Sequence, residues 1–215
     1  SDDYLLPESI ESRLQKLQES DKYLAVFGTA ILVDENNKKI SDDYIIHYSH
    51  LNKTALLNDR FIADEIILRF GIPGPVVMVK KETYDKEKGI GLYDENLIGE
   101  DRDFYLRLLA RNAICYIDKP VAAWRIVTNS LSRNMINRKN VLPYWYETDK
   151  KHINSFSGLS RIFLLITMIR IKTEINILNN NNIINHIIHF IFRAISKAAY
   201  YLHYFRTTLF TTFTK

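Results

Sequence analysis

The 215 residues carry 29 Lys and Arg against 25 Asp and Glu, a net charge of +4, and 47% of them are hydrophobic. That composition suits a soluble globular core, as one domain or one domain with an appendage. The single Cys115 excludes an internal disulfide framework and fits a reducing, cytoplasmic setting.

Along the chain, Pro7 to Ser20 reads as a helix, with Pro at its start and Ile10, Leu14 and Leu17 facing inward. Tyr23 to Val33 is rich in aromatic and β-branched residues and reads as a strand. Asp34-Glu35-Asn36-Asn37 is a turn, and Tyr44 to Tyr48 returns as a second strand of a hairpin. Asp42 and Asp43 fall in that connection and read as solvated. His50 to Phe70 reads as helix, or as loop and helix, and Gly71-Ile72-Pro73-Gly74-Pro75 is a break. Val76 to Val79 is a short apolar strand, and Glu82 to Lys88 fits a short helix. A turn-forming, acid-rich segment then leads into a helix from Glu100 to Arg111. Asp101 falls on the same face of that helix as Phe104, Tyr105, Leu108 and Leu109. Ala113 to Ile117 reads as a strand that buries Cys115, and Val121 to Ile126 as another after an Asp118-Lys119-Pro120 turn.

The remainder, 134–215, reads as a mainly helical extension to a body spanning 1–133. Charge is unevenly placed: residues 151–215 hold eight basic residues and one acid, Glu174, so the tail is about +7 and residues 1–150 about −3. Neither apolar stretch of the tail offers about 20 uninterrupted apolar residues, so a spanning helix is not expected. A basic, aromatic-rich amphipathic segment over 160–215 suits the face of an anionic membrane, or docking against the core or a neighbouring subunit. Its cations are too sparse among large aliphatics for nucleic acid. The six histidines form no zinc-ligand set, and no phosphate-binding glycine loop is present.

Three motifs carry a resemblance. The phrase Gly91-Leu92-Tyr93-Asp94-Glu95-Asn96-Leu97-Ile98-Gly99-Glu100-Asp101-Arg102-Asp103 resembles the acidic signature of inverting family 2 glycosyltransferases. Ser1-Asp2-Asp3-Tyr4-Leu5-Leu6-Pro7-Glu8 is similar to the same family's metal-binding element, entered one residue after its first aspartate. Ile117, Pro120, Val121, Trp124, Arg125, Ser130 and Ser132 fit the phrase that ends the family's core, with Val127 where a histidine is usual. Over 1–133 the resemblance implies an α/β, GT-A-like nucleotide-diphospho-sugar transferase fold. Only its second, acceptor-side half is represented, so the chain reads as an N-terminally truncated fragment of a parent enzyme.

On that resemblance Asp101 is the general base, helped by Glu100, and Asp2 and Asp3 hold Mg²⁺ or Mn²⁺ against the diphosphate of a nucleotide-sugar donor. Arg125 would pair with a phosphate, with the acidic helix, or in a structural ion pair. Trp124 would stack on a sugar or lie in the core. The implied reaction is inverting transfer to a hydroxyl on a glycan or lipid-linked acceptor, in bacterial surface polysaccharide, lipopolysaccharide or capsule synthesis. The implied place is the cytoplasm, at the inner face of the membrane. Two plainer readings stand beside it. Glu100 and Asp101 could simply cap their helix, and the chain could be a non-catalytic remnant that serves as an interaction or membrane-associated module.

Overall fold

The structure is a computed structural model and describes residues 3–127 and 135–213, with the backbone alone for 135–138. Asp2, Ser130 and Ser132, singled out above, lie outside the described residues. In chain order the elements are β1 (Tyr4–Leu5), α1 (Ser9–Gln18), β2 (Ala25–Val33), β3 (Lys39–Ser41), α2 (Lys53–Leu56), α3 (Ile62–Leu68), β4 (Val77–Val79), α4 (Glu100–Ala110), β5 (Ile114–Arg125), α5 (Met135–His152), α6 (Gly158–Asn179) and α7 (Ile183–Phe213).

The sheet is mixed. β2 and β5 form its parallel centre, β1 pairs antiparallel with β5, and β3 and β4 share the other side of β2 at different heights. β2 is buried along almost its whole length, as a strand covered on both faces must be. The two strands expected over 113–126 are one long strand. Pro120 sits within it, opposite Thr29, where the register with β2 shifts. Gly28 permits this irregularity, because a Cβ there would lie 2.7 Å from the Lys119 carbonyl oxygen.

Other expectations are corrected. In α1, Ile10 and Leu14 point to solvent, and the inward stripe is Ser9, Arg13 and Leu17. Arg13 folds back on its own helix, its Nε donating to the Ser9 carbonyl at 3.0 Å and its Nη2 to Ser9 Oγ at 2.7 Å, so it is buried without a carboxylate partner among the described residues. Tyr44 to Tyr48 is no strand. A π-helical turn covers Ile45–Ser49, held by the Asp43 carboxylate accepting the Ile45 N–H at 2.8 Å and by Tyr44 Oη donating to the Gly71 carbonyl at 2.7 Å. Asp43 is therefore buried, with Lys53 paired to it at 2.5 Å, while Asp42 is solvated. Helix over 82–88 shrinks to a 3₁₀ turn at Lys81–Tyr84.

One hydrophobic cluster runs from β2, β5 and α4 into Phe156, Phe163, Leu164 and Ala199, so the helical extension shares the core of the body. α6 packs on α3, and α7 lies over α2 and α3.

Candidate active site

The acidic helix α4 begins at Gly99, which holds φ +83°, a left-handed conformation that glycine adopts without strain. A second constraint acts there, since a Cβ on Gly99 would stand 2.6 Å from Trp145 Nε1 of α5. The turn before α4 is stacked rather than loose: Tyr93 lies flat on Phe104, centroids 4.0 Å apart. Apolar packing thus fixes where the carboxylates of the first turn point.

Those carboxylates are held differently. Glu100 is exposed. Asp101 is half-buried, and its Oδ1 accepts the Arg102 N–H at 2.7 Å. No Lys, Arg or His pairs with the Asp101 carboxylate among the described residues. Burial, with the Glu100 charge adding to it, raises the Asp101 pKa against the opposing pull of the Arg102 N–H. Asp103, two residues on, is enclosed by His152 Nε2 at 2.7 Å, Lys151 Nζ at 2.9 Å and Arg107 Nε at 2.9 Å. Burial works to raise its pKa, but these partners win and hold the carboxyl well below the usual range. Neighbouring carboxylates pushed in opposite directions are the usual mark of divided roles. Asp103 is a locked structural anion, whereas Asp101 is half-buried with its carboxyl raised above the usual range.

Between them Arg102 turns inward. Its Nε and Nη2 each donate to Asp149 at 2.8 Å, and the guanidinium lies over the rings of Phe70 and Trp145. This pair locks α5 to the start of α4 and sets Trp145 beside Gly99. The Trp145 indole nitrogen is buried with no hydrogen-bond acceptor among the described residues. Tyr105, one turn beyond Asp101, has its phenol pushed up by burial and further by Tyr93, Asp101 and Tyr44. Tyr44 packs edge-on against Trp124 of β5. Trp124 is held in this aromatic group, with Tyr48 on it too.

The N-terminal element meets the same strand. Asp3 Oδ1 accepts the Arg125 N–H at 2.9 Å, in the antiparallel pairing of β1 with β5. The Arg125 guanidinium reaches across to the β2–β3 turn and donates to the Asp34 carbonyl at 2.9 Å, the Glu35 carbonyl at 3.2 Å and Asn37 Oδ1 at 2.6 Å. It clamps that turn. Asp3 is the right kind of ligand for a hard cation, and one or two carboxylates with substrate phosphates suffice to bind Mg²⁺. Among the described residues, no group of three or more His, Cys, Asp or Glu side chains is placed to hold a metal.

The residues that sequence reading missed here are Trp145, Asp149 and His152 of α5. With Thr148 they fall at 145, 148, 149 and 152, a helical stripe that marks one inward face. A second missed cluster joins α3 to α7. Asp64 accepts from Ser160 Oγ at 2.5 Å and from Arg206, and His203 Nε2 stands 3.1 Å from Glu65 Oε2. No protein-family model matches the chain, and no curated protein matches it. The fold is mixed α/β with a largely helical second half.

Proposed function

We propose that the gene product containing these residues is an inverting glycosyltransferase of the GT-A type. It would transfer a sugar from a nucleotide-sugar to a hydroxyl of a glycan or lipid-linked acceptor. The observation that supports this reading is the split between Asp101 and Asp103: one carboxyl raised by burial and without a cationic partner among the described residues, the other held by three partners. A general base works best with a pKa moved toward the working pH, and burial moves Asp101 that way.

In this reaction the Asp101 carboxylate takes the proton of the acceptor hydroxyl. The oxygen bonds to the anomeric carbon from the face opposite the donor diphosphate. The bond to the diphosphate breaks, its electron pair leaves with the nucleoside diphosphate, and the anomeric configuration inverts. Glu100 adds negative charge beside the base. Asp2 and Asp3 would hold Mg²⁺ or Mn²⁺, which offsets the charge of the departing diphosphate.

The test is release of nucleoside diphosphate from a panel of uridine, guanosine and thymidine diphospho-sugars with Mn²⁺, in the presence of glycan and lipid-linked acceptors. The reading expects one donor to be consumed with an inverted product. Failure of every donor, hydrolysis included, would overturn it. The rival, a non-catalytic interaction module, draws on the outward face of α7 described next.

A further inference from the structure

Helix α7 is built inside out. Its inward residues are largely polar. His189 Nδ1 meets Thr173 Oγ1 at 2.9 Å, Asn52 Nδ2 donates to Thr207 Oγ1 at 3.1 Å, and His203 and Arg206 face the carboxylates of Glu65 and Asp64. His203 and Thr207 are wholly buried. These contacts fix the rotation of the helix about its axis. The opposite side then carries Ile183, Ile187, Phe190, Tyr201, Phe205 and Leu209 at helical spacing, all exposed, with Phe190 at 73%. The helix is 31 residues, about 46 Å long. A polar inside and an apolar outside reverse the usual arrangement of a surface helix, and so large an apolar stripe marks an interaction surface.

Charge decides between occupants. Residues 175–215 contain no Asp or Glu, and Arg193 and Lys197 are exposed on α7. Pairing two copies through this face would bring cations together with no acid on the helix to offset them. An anionic lipid surface offers hydrocarbon to the stripe and negative charge to Arg193 and Lys197 at once. No described helix is long and apolar enough to cross a membrane, so the helix would lie in the plane of the surface. We infer that α7 is a peripheral membrane anchor. The juxtaposition of a polar, core-locked inner face, an apolar outer face and acid-free flanks assigns anionic bilayer as its partner. This stands apart from the transfer reading and needs no substrate.

The test is flotation of the full chain with phosphatidylcholine vesicles, with and without phosphatidylglycerol. The anchor predicts flotation with the anionic vesicles that weakens with salt. Phe190→Ser with Phe205→Ser should abolish it while circular dichroism and thermal melting stay unchanged, since both side chains are solvent-exposed. Arg193→Gln with Lys197→Gln should weaken binding to anionic vesicles by about 25-fold, at about fivefold for each cation near the surface. Three results would overturn the inference: no flotation with anionic vesicles, flotation unchanged by the paired Ser substitutions, or a dimer that the Ser substitutions dissociate in a chain that does not float.

Discussion

Replacing Asp149 by Ala tests how the start of α4 is held. The change leaves the Arg102 guanidinium 2% exposed with two charge-assisted hydrogen bonds removed. Breaking one side of a buried pair costs about 3–5 kcal/mol, because the orphaned charge stays desolvated. The rings of Phe70 and Trp145 remain over Arg102, but a ring face cannot accept the directed Nε and Nη2 bonds. With a urea m-value of about 2 kcal/mol/M, a 4 kcal/mol loss moves the unfolding midpoint down by about 2 M. The double variant Arg102→Met/Asp149→Leu removes both charges. Burial pushes the Asp149 carboxyl up even with Arg102 beside it, so desolvation weighs heavily in this pair. The double variant should then recover to within about 1–2 kcal/mol of wild type. A loss under about 1 kcal/mol for Asp149→Ala, or a double variant no better than the single, would refute the reasoning.

Other expectations follow from the same helix and its neighbours. A depressed pKa stabilises the fold above the unfolded carboxyl value of about 3.9 and is lost as pH falls through the folded value. Asp103→Asn should therefore be less stable than wild type at neutral pH, by urea titration, with the gap closing below about pH 4. Asp101 has the opposite sign. Its raised pKa favours the protonated fold at low pH and costs stability as pH rises through the folded value, so Asp101→Asn should match or exceed wild-type stability at pH 7. A destabilised Asp101→Asn would make that carboxylate a structural cap. Burial pushes the Cys115 thiol up to about 12, so a thiol reagent at pH 8 should label it only on denaturation. Rapid labelling of native protein would contradict its place in the strand.

Local pattern made some of this fold legible. The run from Glu100 with its apolar stripe gives α4 nearly to the residue, the β-branched run gives β2, and the Gly-Pro break at 71–75 separates α3 from β4. What failed depended on distant partners. Ile10 and Leu14 have helical spacing, yet Arg13 and Ser9 satisfy each other and take the inner face. Tyr44 to Tyr48 has strand composition, but its shape is set by Gly71 and by the Asp43 side chain. Pro120 signals a turn, yet parallel pairing with β2 carries the strand through it. At the site, the acidic phrase singled out Asp101, but local sequence cannot tell which of three carboxylates is neutralised. That is decided by Lys151 and His152, about fifty positions away.

The most direct measurement is transfer by Asp101→Asn in the gene product that contains this chain, alongside donor binding by the same variant. Loss of about 3 orders of magnitude in turnover, as for removal of a general base, with donor affinity within about twofold of wild type, is the predicted result. Retention of most of the turnover would show that another group accepts the proton and would contradict the account.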